Sequence, residues 1–264
     1  MDKTVSGERG SPRVYFIGAG PGDPELLTVK AARIIGQADL VLYAGSLVSP
    51  GIVALAKNDA QVVDSAALAL DETHALLAAT VRQGGLAARV HTGDPALYGA
   101  VAEQARLLEA DGIPYAVIPG VTSASAAAAA FGVSFTVPET TQTLILTRLA
   151  GRTPMPPGEG LADLARHQAA MAVYLSAGDP EGLAEALLAG GYPSATPVAV
   201  AHRLGWPGET LLWATVATLA ATTRQAGLDR QTIFLVLPGL GTESLSKLYD
   251  PSFGHGFRPA RDAT

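Results

Sequence analysis

The chain contains no cysteine. Disulfides, thiolate nucleophiles and cysteine-held metals are thereby excluded together. Its five histidines show neither HxxxH nor HExxH spacing, so a metal-free chemistry is expected. Charge is sparse, at 16% of residues, and the formal net charge is -6. Such a balance offers no footprint for a phosphate backbone, which argues against a DNA or RNA partner; an acidic ligand would need local arginines. No window approaches the roughly 18 unbroken apolar residues of a membrane span, and the opening stretch MDKTVSGERGSP is polar. Neither a membrane segment nor a secretory signal is expected, and the cytoplasm is the expected compartment. No repeat of fixed period emerges either.

What is present is a hydrophobic share of 48% in 264 residues, enough for one bilobal unit or two modest domains. Val14 to Gly18 is a short apolar run that ends in GAGPGDP, followed by Leu26, Leu27, Ala31, Ile34 and Ile35 at helical spacing. That order predicts strand, glycine loop and helix. Apolar runs recur at Leu40 to Tyr43, Val62 to Val63, Ala88 to His91 and Tyr115 to Ile118, separated by helix-like stretches such as Glu72 to Arg82. Alternation of this kind predicts a parallel sheet. After the alanine-rich stretch from Ser123 to Phe131, Val137-Pro138-Glu139 breaks the pattern, and a domain boundary is expected there.

The second half reads differently. Strands are expected at Leu144 to Thr147, Ala172 to Leu175, Val198 to His202 and Ile233 to Leu237, with a hairpin through Gly205-Trp206-Pro207-Gly208 to Leu211 to Trp213. This predicts a mixed sheet with helices. The expected organisation is a tail over 1–12, an α/β domain over 13–138, a second over 139–241, and a mobile tail over 242–264.

Three strand-to-helix junctions carry the chemistry. Gly18, Gly20 and Gly22 allow a ligand to approach the backbone, with amides free to face an anion. His91-Thr92-Gly93-Asp94-Pro95-Ala96-Leu97-Tyr98-Gly99 leaves a strand through a Gly-Asp-Pro turn, where Asp94 suits a cap as well as a ligand contact. Pro119-Gly120-Val121-Thr122-Ser123 is the third. Ligands of open α/β sheets collect at such an edge. A nicotinamide loop would want GxGxxG, yet Asp23 holds the third glycine position, and the run ending in Tyr43-Ala44-Gly45 lacks an acidic ribose partner. Arg148 and Arg152, four apart in an irregular loop within TRLAGRTPMP, suit forked bonding to carboxylates, though surface arginines are often only solvated. Ser46 could close a turn or touch a substrate, and His91 and His202 suit hydrogen-bonded strand positions.

Together GAGPGDPELLT, HTGDPALYGA and PGVTSASAAAA, in this order and spacing, resemble the tetrapyrrole methylase family over about residues 13 to 240. YAGSLV at 43–48 and TRLAGRTPMP resemble its branch acting at C11 of precorrin-4 or its cobalt form. A uroporphyrinogen-III methylase instead carries GGDPFIFGRGGEE where this chain has TGDPALYGAVAEQ. The resemblance implies an α/β fold of two domains with S-adenosylmethionine in the cleft between them, a tetrapyrrole substrate, and a homodimer. It implies cofactor contacts at Pro21, Gly93, Asp94, Leu97, Thr122, Ser123, Leu175 and Leu204. A substrate with several carboxylates calls for local cations, so substrate contacts are expected at Arg148 and Arg152, and also at Ser46. Methyl transfer from a sulfonium to an electron-rich ring carbon needs alignment more than a nucleophile. Asp23, Asp94 and Tyr98 are acid or base candidates by location alone. Other readings are methylation of another pyrrole carbon or of diphthamide, a nicotinamide-binding oxidoreductase, and a non-catalytic tetrapyrrole carrier.

Overall fold

The computed structural model describes residues 11–244 and 246–261; most of the expected N-terminal tail lies outside them. Two compact units emerge. The first comprises the described residues up to Ala126 together with Arg203–Glu209, and the second Ala127–His202 with the described residues from Thr210 onward. The division falls inside a helix, Ser123–Phe131, upstream of the break expected at Pro138. A hairpin tip from the second half also belongs to the first unit.

In the first unit the chain runs β1 (Val14–Gly18), α1 (Val29–Ile35), β2 (Leu40–Tyr43), α2 (Pro50–Val53), β3 (Gln61–Asp64), α3 (Leu70–Arg82), β4 (Ala87–His91), α4 (Val101–Ala110), β5 (Tyr115–Ile118) and α5 (Ser123–Phe131). The strands form one parallel sheet in the order β3-β2-β4-β1-β5. Side-chain alternation divides its core into two layers. Ile17, Val41, Ala88, Val90 and Ile118 pack with Ala31, Ile34, Ile35 and Ile52 of α1 and α2. Val14, Phe16, Leu40, Leu42 and Ala87 pack with Leu77, Ala78, Ala105 and Leu108 of α3 and α4. Phe16 is wholly buried, a contribution of about 1.5–3 kcal/mol.

Register sets the edge. Ile17 lies opposite both Val90 and Ile118, so β1, β4 and β5 end level and their loops leave side by side. The chain leaves β1 toward β2 on one side, and leaves β4 toward β5 on the other. Such a reversal opens a crevice beyond the strand ends.

The second unit holds β6 (Leu144–Arg148), α6 (Leu161–Ala165), β7 (Ala170–Tyr174), α7 (Pro180–Ala189), β8 (Pro197–His202), β9 (Thr210–Thr215), α8 (Leu219–Gln225) and β10 (Thr232–Val236). Its sheet, in the order β6-β7-β10-β8-β9, is mixed, with only β6 and β7 parallel. Met171, Val173, Val198, Val200, Phe234 and Val236 form one apolar face under α6, α7 and α8. Asp179 caps α7 by accepting from the Gly182 amide at 2.9 Å, with Pro180 at the first helical position. The buried Tyr192 hydroxyl donates to the Ala169 carbonyl, and burial pushes its pKa up to about 12.

The segment after Thr242, expected to be mobile, carries local order. Lys247–Tyr249 forms a 3-10 turn, and His255 pairs with Arg258 in an isolated bridge. The Arg258 guanidinium donates to the carbonyls of Leu248, Asp250 and Phe253, one planar donor set serving three acceptors. No helix among the described residues is long and apolar enough to cross a membrane.

Candidate active site

The three junction loops meet backbone to backbone. A Cβ on Gly18 would lie 2.5 Å from the Gly120 nitrogen and 2.7 Å from the Gly93 carbonyl oxygen; one on Gly120 would lie 2.2 Å from that oxygen. Only glycine permits this approach. Gly20 donates to the Gly93 carbonyl at 3.1 Å and Gly93 returns a bond to Gly20 at 2.8 Å, while Ala19 donates to His91 at 2.7 Å. The expectation that the glycine-loop amides face an anion is thus corrected for Ala19 and Gly20, whose N–H groups are spent on the neighbouring loop.

Asp94 is the bracket between the second and third loops. Its Oδ1 accepts from the Ala96 amide at 2.8 Å and its Oδ2 from the Gly120 amide at 2.9 Å. Leu97 closes the turn by donating to the Asp94 carbonyl. Beyond it, Tyr98 and Ala100 both adopt left-handed backbone, at φ 58° and 50°, a strained state for residues other than glycine. Thr122 caps α5, its Oγ1 accepting from Ala124 at 3.0 Å, and Ser123 opens the helix.

The first loop is gripped through its carbonyls. Ser49 Oγ donates to Gly22 at 2.6 Å and Trp206 Nε1 donates to Pro21 at 3.0 Å. Buried Leu204 belongs to the same hairpin tip, and its carbonyl oxygen would lie 2.7 Å from a Cβ on Gly22. Asp23 caps the 3-10 turn Pro24–Leu26 by accepting from the Glu25 amide. α1 therefore starts only at Val29, capped by Thr28. The helix does not spring directly from the glycines, as a dinucleotide loop requires. Ser46 lies exposed in the turn after β2.

Beneath the second loop lies a buried cation. Arg89 donates to Gln104 Oε1 at 3.1 Å, to Ser65 Oγ at 2.8 Å and to the Leu42 carbonyl at 3.4 Å, and burial pushes its pKa down to about 10. His91, on the same face of β4, is pushed down to about 3 by burial and then by the Arg89 charge. Its Nε2 has no partner, against the hydrogen-bonded position expected of it, whereas His202 meets the same expectation with its Nδ1 3.0 Å from Thr232 Oγ1.

In the second unit a depression of about 400 Å³ is lined by Arg148, Gly151, Arg152, Leu175, Ser176 and neighbouring residues. The Arg148 guanidinium is committed to the loop itself, donating to the carbonyls of Leu149, Thr153 and Pro154 at 3.0–3.2 Å. Arg152 is exposed and carries the loop's outward cation. Leu175 follows β7 at φ 54° and is 73% exposed, an apolar side chain offered to solvent by a strained backbone. Ser176 joins the two features: its hydroxyl accepts from the Leu149 amide at 2.9 Å and donates to the Tyr174 carbonyl at 2.7 Å. Among the described residues no cluster of histidine and carboxylate side chains could hold a metal ion.

The structure thus gathers Pro21, Gly93, Asp94, Thr122, Ser123 and Leu204 around interlocked loops of one unit, and Arg148, Arg152 and Leu175 around one depression of the other. Sequence reasoning missed Ser49, Trp206 and Ser176. A tryptophan at a Gly-Trp-Pro-Gly hairpin tip is a signal that could have marked the second, since a large ring at a turn is usually there to cover something.

Residues 13–220 match the family described as tetrapyrrole (corrin/porphyrin) methylases. The precorrin-4 C(11)-methyltransferase of Pseudomonas aeruginosa is 46% identical over 248 residues, covering 93% of this chain and 98% of that one. The solved structure of a cobalt-precorrin-4 methyltransferase is 43% identical, with a TM-score of 0.83 over 84% of this chain and 93% of that one. A uroporphyrin-III C-methyltransferase from Thermus thermophilus, solved with S-adenosyl homocysteine, is 29% identical with a TM-score of 0.70 over 85% and 91%.

Proposed function

Because the chain belongs to the tetrapyrrole (corrin/porphyrin) methylase family, we propose that it transfers a methyl group from S-adenosylmethionine to C11 of precorrin-4 or its cobalt form, a step of cobalamin synthesis. The position C11 rests on near full-length likeness to enzymes named for it. Cofactor use rests on the mutual approach of Gly18, Gly93 and Gly120.

The residues at that edge fit the cofactor. Pro21, Gly93, Leu97, Thr122 and Ser123 supply carbonyls, hydroxyls and apolar surface, and Asp94 is the one charged member; no lysine or arginine stands among them. Such a lining suits a sulfonium, an adenine and a ribose better than a pyrophosphate, which calls for donors. Bound there, the cofactor supplies a methyl already activated on a positively charged sulfur. The chain's task is then alignment and exclusion of water. Gly93, where an added Cβ would meet nothing within 4 Å, leaves the backbone open to the ligand, Thr122 and Ser123 offer hydroxyls at the start of α5, and Leu97 and Leu204 supply apolar contact. Asp94, with both oxygens occupied, and Asp23, engaged in capping, shape loops. Tyr98 is the remaining proton-handling candidate.

The substrate is rich in carboxylates. Arg152 meets one of them from the loop that Arg148 holds in shape. The family resemblance carries two further parts of the proposal, a homodimeric enzyme and a cytoplasmic one.

The test is incubation with methyl-labelled S-adenosylmethionine and enzymatically made precorrin-4, then mass and NMR mapping of the pigment. Label at C11 is expected. Label at another carbon would replace the position while keeping the chemistry, and failure to bind S-adenosylmethionine would overturn the proposal.

A further inference from the structure

The hairpin tip Arg203–Glu209 is built to hold one ring in place. Gly205 and Gly208 take φ +70° and +86°, and Arg203 takes φ 51°. Trp206 donates its amide to the Arg203 carbonyl at 2.9 Å, Glu209 donates its own to Trp206 at 3.0 Å, and the Gly205 amide donates to the Glu209 carboxylate at 2.7 Å. The Arg203 guanidinium carbon stands 5.9 Å from the indole centroid, within cation–π range.

The ring so held lies on the glycine loop. A Cβ on Gly22 would fall 2.2 Å from Trp206 Cδ1 and 2.3 Å from Nε1, and one on Gly205 would fall 2.4 Å from the Asp23 nitrogen. The indole N–H donates to the Pro21 carbonyl at 3.0 Å. Proline has no N–H, so that carbonyl is the only polar handle of its backbone. Ser49 holds the next carbonyl, that of Gly22. Apolar cover alone would need no donor aimed at Pro21; the donor defines how this peptide is turned.

We infer that Trp206 is a positioning residue for the cofactor: by stacking on Gly22 and donating to Pro21, it fixes the orientation of the peptide that the cofactor meets. The inference rests on the cofactor reading above. Its effect belongs to cofactor affinity, leaving tetrapyrrole affinity and global stability nearly unchanged.

S-adenosyl homocysteine binding by calorimetry, with precorrin-4 KM and melting temperature measured alongside, tests it. Trp206→Phe keeps a ring and removes the donor. Loss of one hydrogen bond of this kind predicts about fivefold to tenfold weaker binding, with precorrin-4 KM changed by less than about twofold and a melting shift of only a few degrees. Gly22→Ala, with Trp206 intact, pushes the indole away and is expected to weaken binding by at least as much. It should also shift Trp206 emission to the red in a Trp213→Phe background. A wild-type protein that binds the probe while both variants bind it equally well overturns the role of Trp206 alone. A wild-type protein that does not bind it overturns the cofactor reading and the role together.

Discussion

Gly120→Ala adds one methyl where three backbones cross. The new Cβ would stand 2.2 Å from the Gly93 carbonyl oxygen and 2.8 Å from the Gly18 Cα and carbonyl carbon, when carbon and oxygen need more than about 3 Å. These neighbours are backbone and cannot swing aside. Gly93 is tied to Gly20 by two hydrogen bonds, and the Gly120 amide to Asp94 by another. Overpacking of this sort costs about 1–3 kcal/mol, and loosening a hydrogen bond to a carboxylate about 1.5–3 kcal/mol. A total near 3 kcal/mol lowers the melting temperature by roughly 6–12 °C in a chain of this size, and S-adenosyl homocysteine affinity should fall at least about tenfold. Two controls separate crowding from backbone strain. Gly112→Ala and Gly132→Ala each place a residue at φ above +60° with nothing within 4 Å, so each should cost only about 1–2 kcal/mol. Differential scanning calorimetry and ligand titration of the three variants decide. If Gly120→Ala matches Gly132→Ala in both melting and affinity, the loops do not meet as described.

Asp94→Asn should cost about 1–3 kcal/mol and weaken cofactor binding, because the amide nitrogen of Asn can accept from neither Ala96 nor Gly120; urea unfolding and calorimetry measure both. His91 has a folded pKa lowered from the usual 6.5 to about 3. A base so depressed contributes stability that is whole above pH 6.5 and lost as pH falls toward 3. Between pH 7 and 4.5 the wild type should therefore lose roughly 2–3 kcal/mol more than His91→Phe in urea unfolding. Arg152→Glu should raise precorrin-4 KM at least tenfold, by about 1.4 kcal/mol or more, while leaving S-adenosyl homocysteine affinity unchanged. Equal tetrapyrrole KM in wild type and variant would remove Arg152 from the substrate site.

Much of this fold was legible because its determinants are local. Strands β1 to β10 coincide with apolar runs between turn residues, and the change from a parallel to a mixed sheet accompanies the hairpin spacing between His202 and Thr210. The three junction loops were legible too, since glycine and proline impose backbone geometry directly. What escaped are contacts between distant positions. Trp206 and Pro21 lie 185 residues apart, Ser49 and Gly22 27 apart, and Arg89 reaches 47 residues to Leu42. Nothing in the local string says which carbonyl a side chain will find. For the same reason Arg148 and Arg152 looked equivalent, whereas the fold turns one inward onto three carbonyls and leaves the other outward. The helix after the glycine loop was expected from its apolar spacing, but Asp23 and Pro24 start a 3-10 turn first, which delays α1 to Val29.

Under the proposed function, the two halves of the recognition problem are met by different chemistry, and this makes them separable. At the glycine edge the grip is made by neutral donors on carbonyls, from Ser49 and Trp206, and by Asp94 on amides. No side-chain cation donates to these carbonyls, and Arg203 acts only through the Trp206 ring, so binding there should change little with ionic strength. In the arginine loop the outward group is a cation and exposed. Exposed charges are screened over a Debye length of about 8 Å at physiological salt, so tetrapyrrole KM should rise with added salt through Arg152. Raising sodium chloride from low to high concentration therefore distinguishes the two sites without any mutation. Cofactor affinity that fell with salt as steeply as tetrapyrrole affinity would mean that a cation serves the glycine edge as well, and that the assignment of ligand-facing cations to the second unit alone is wrong.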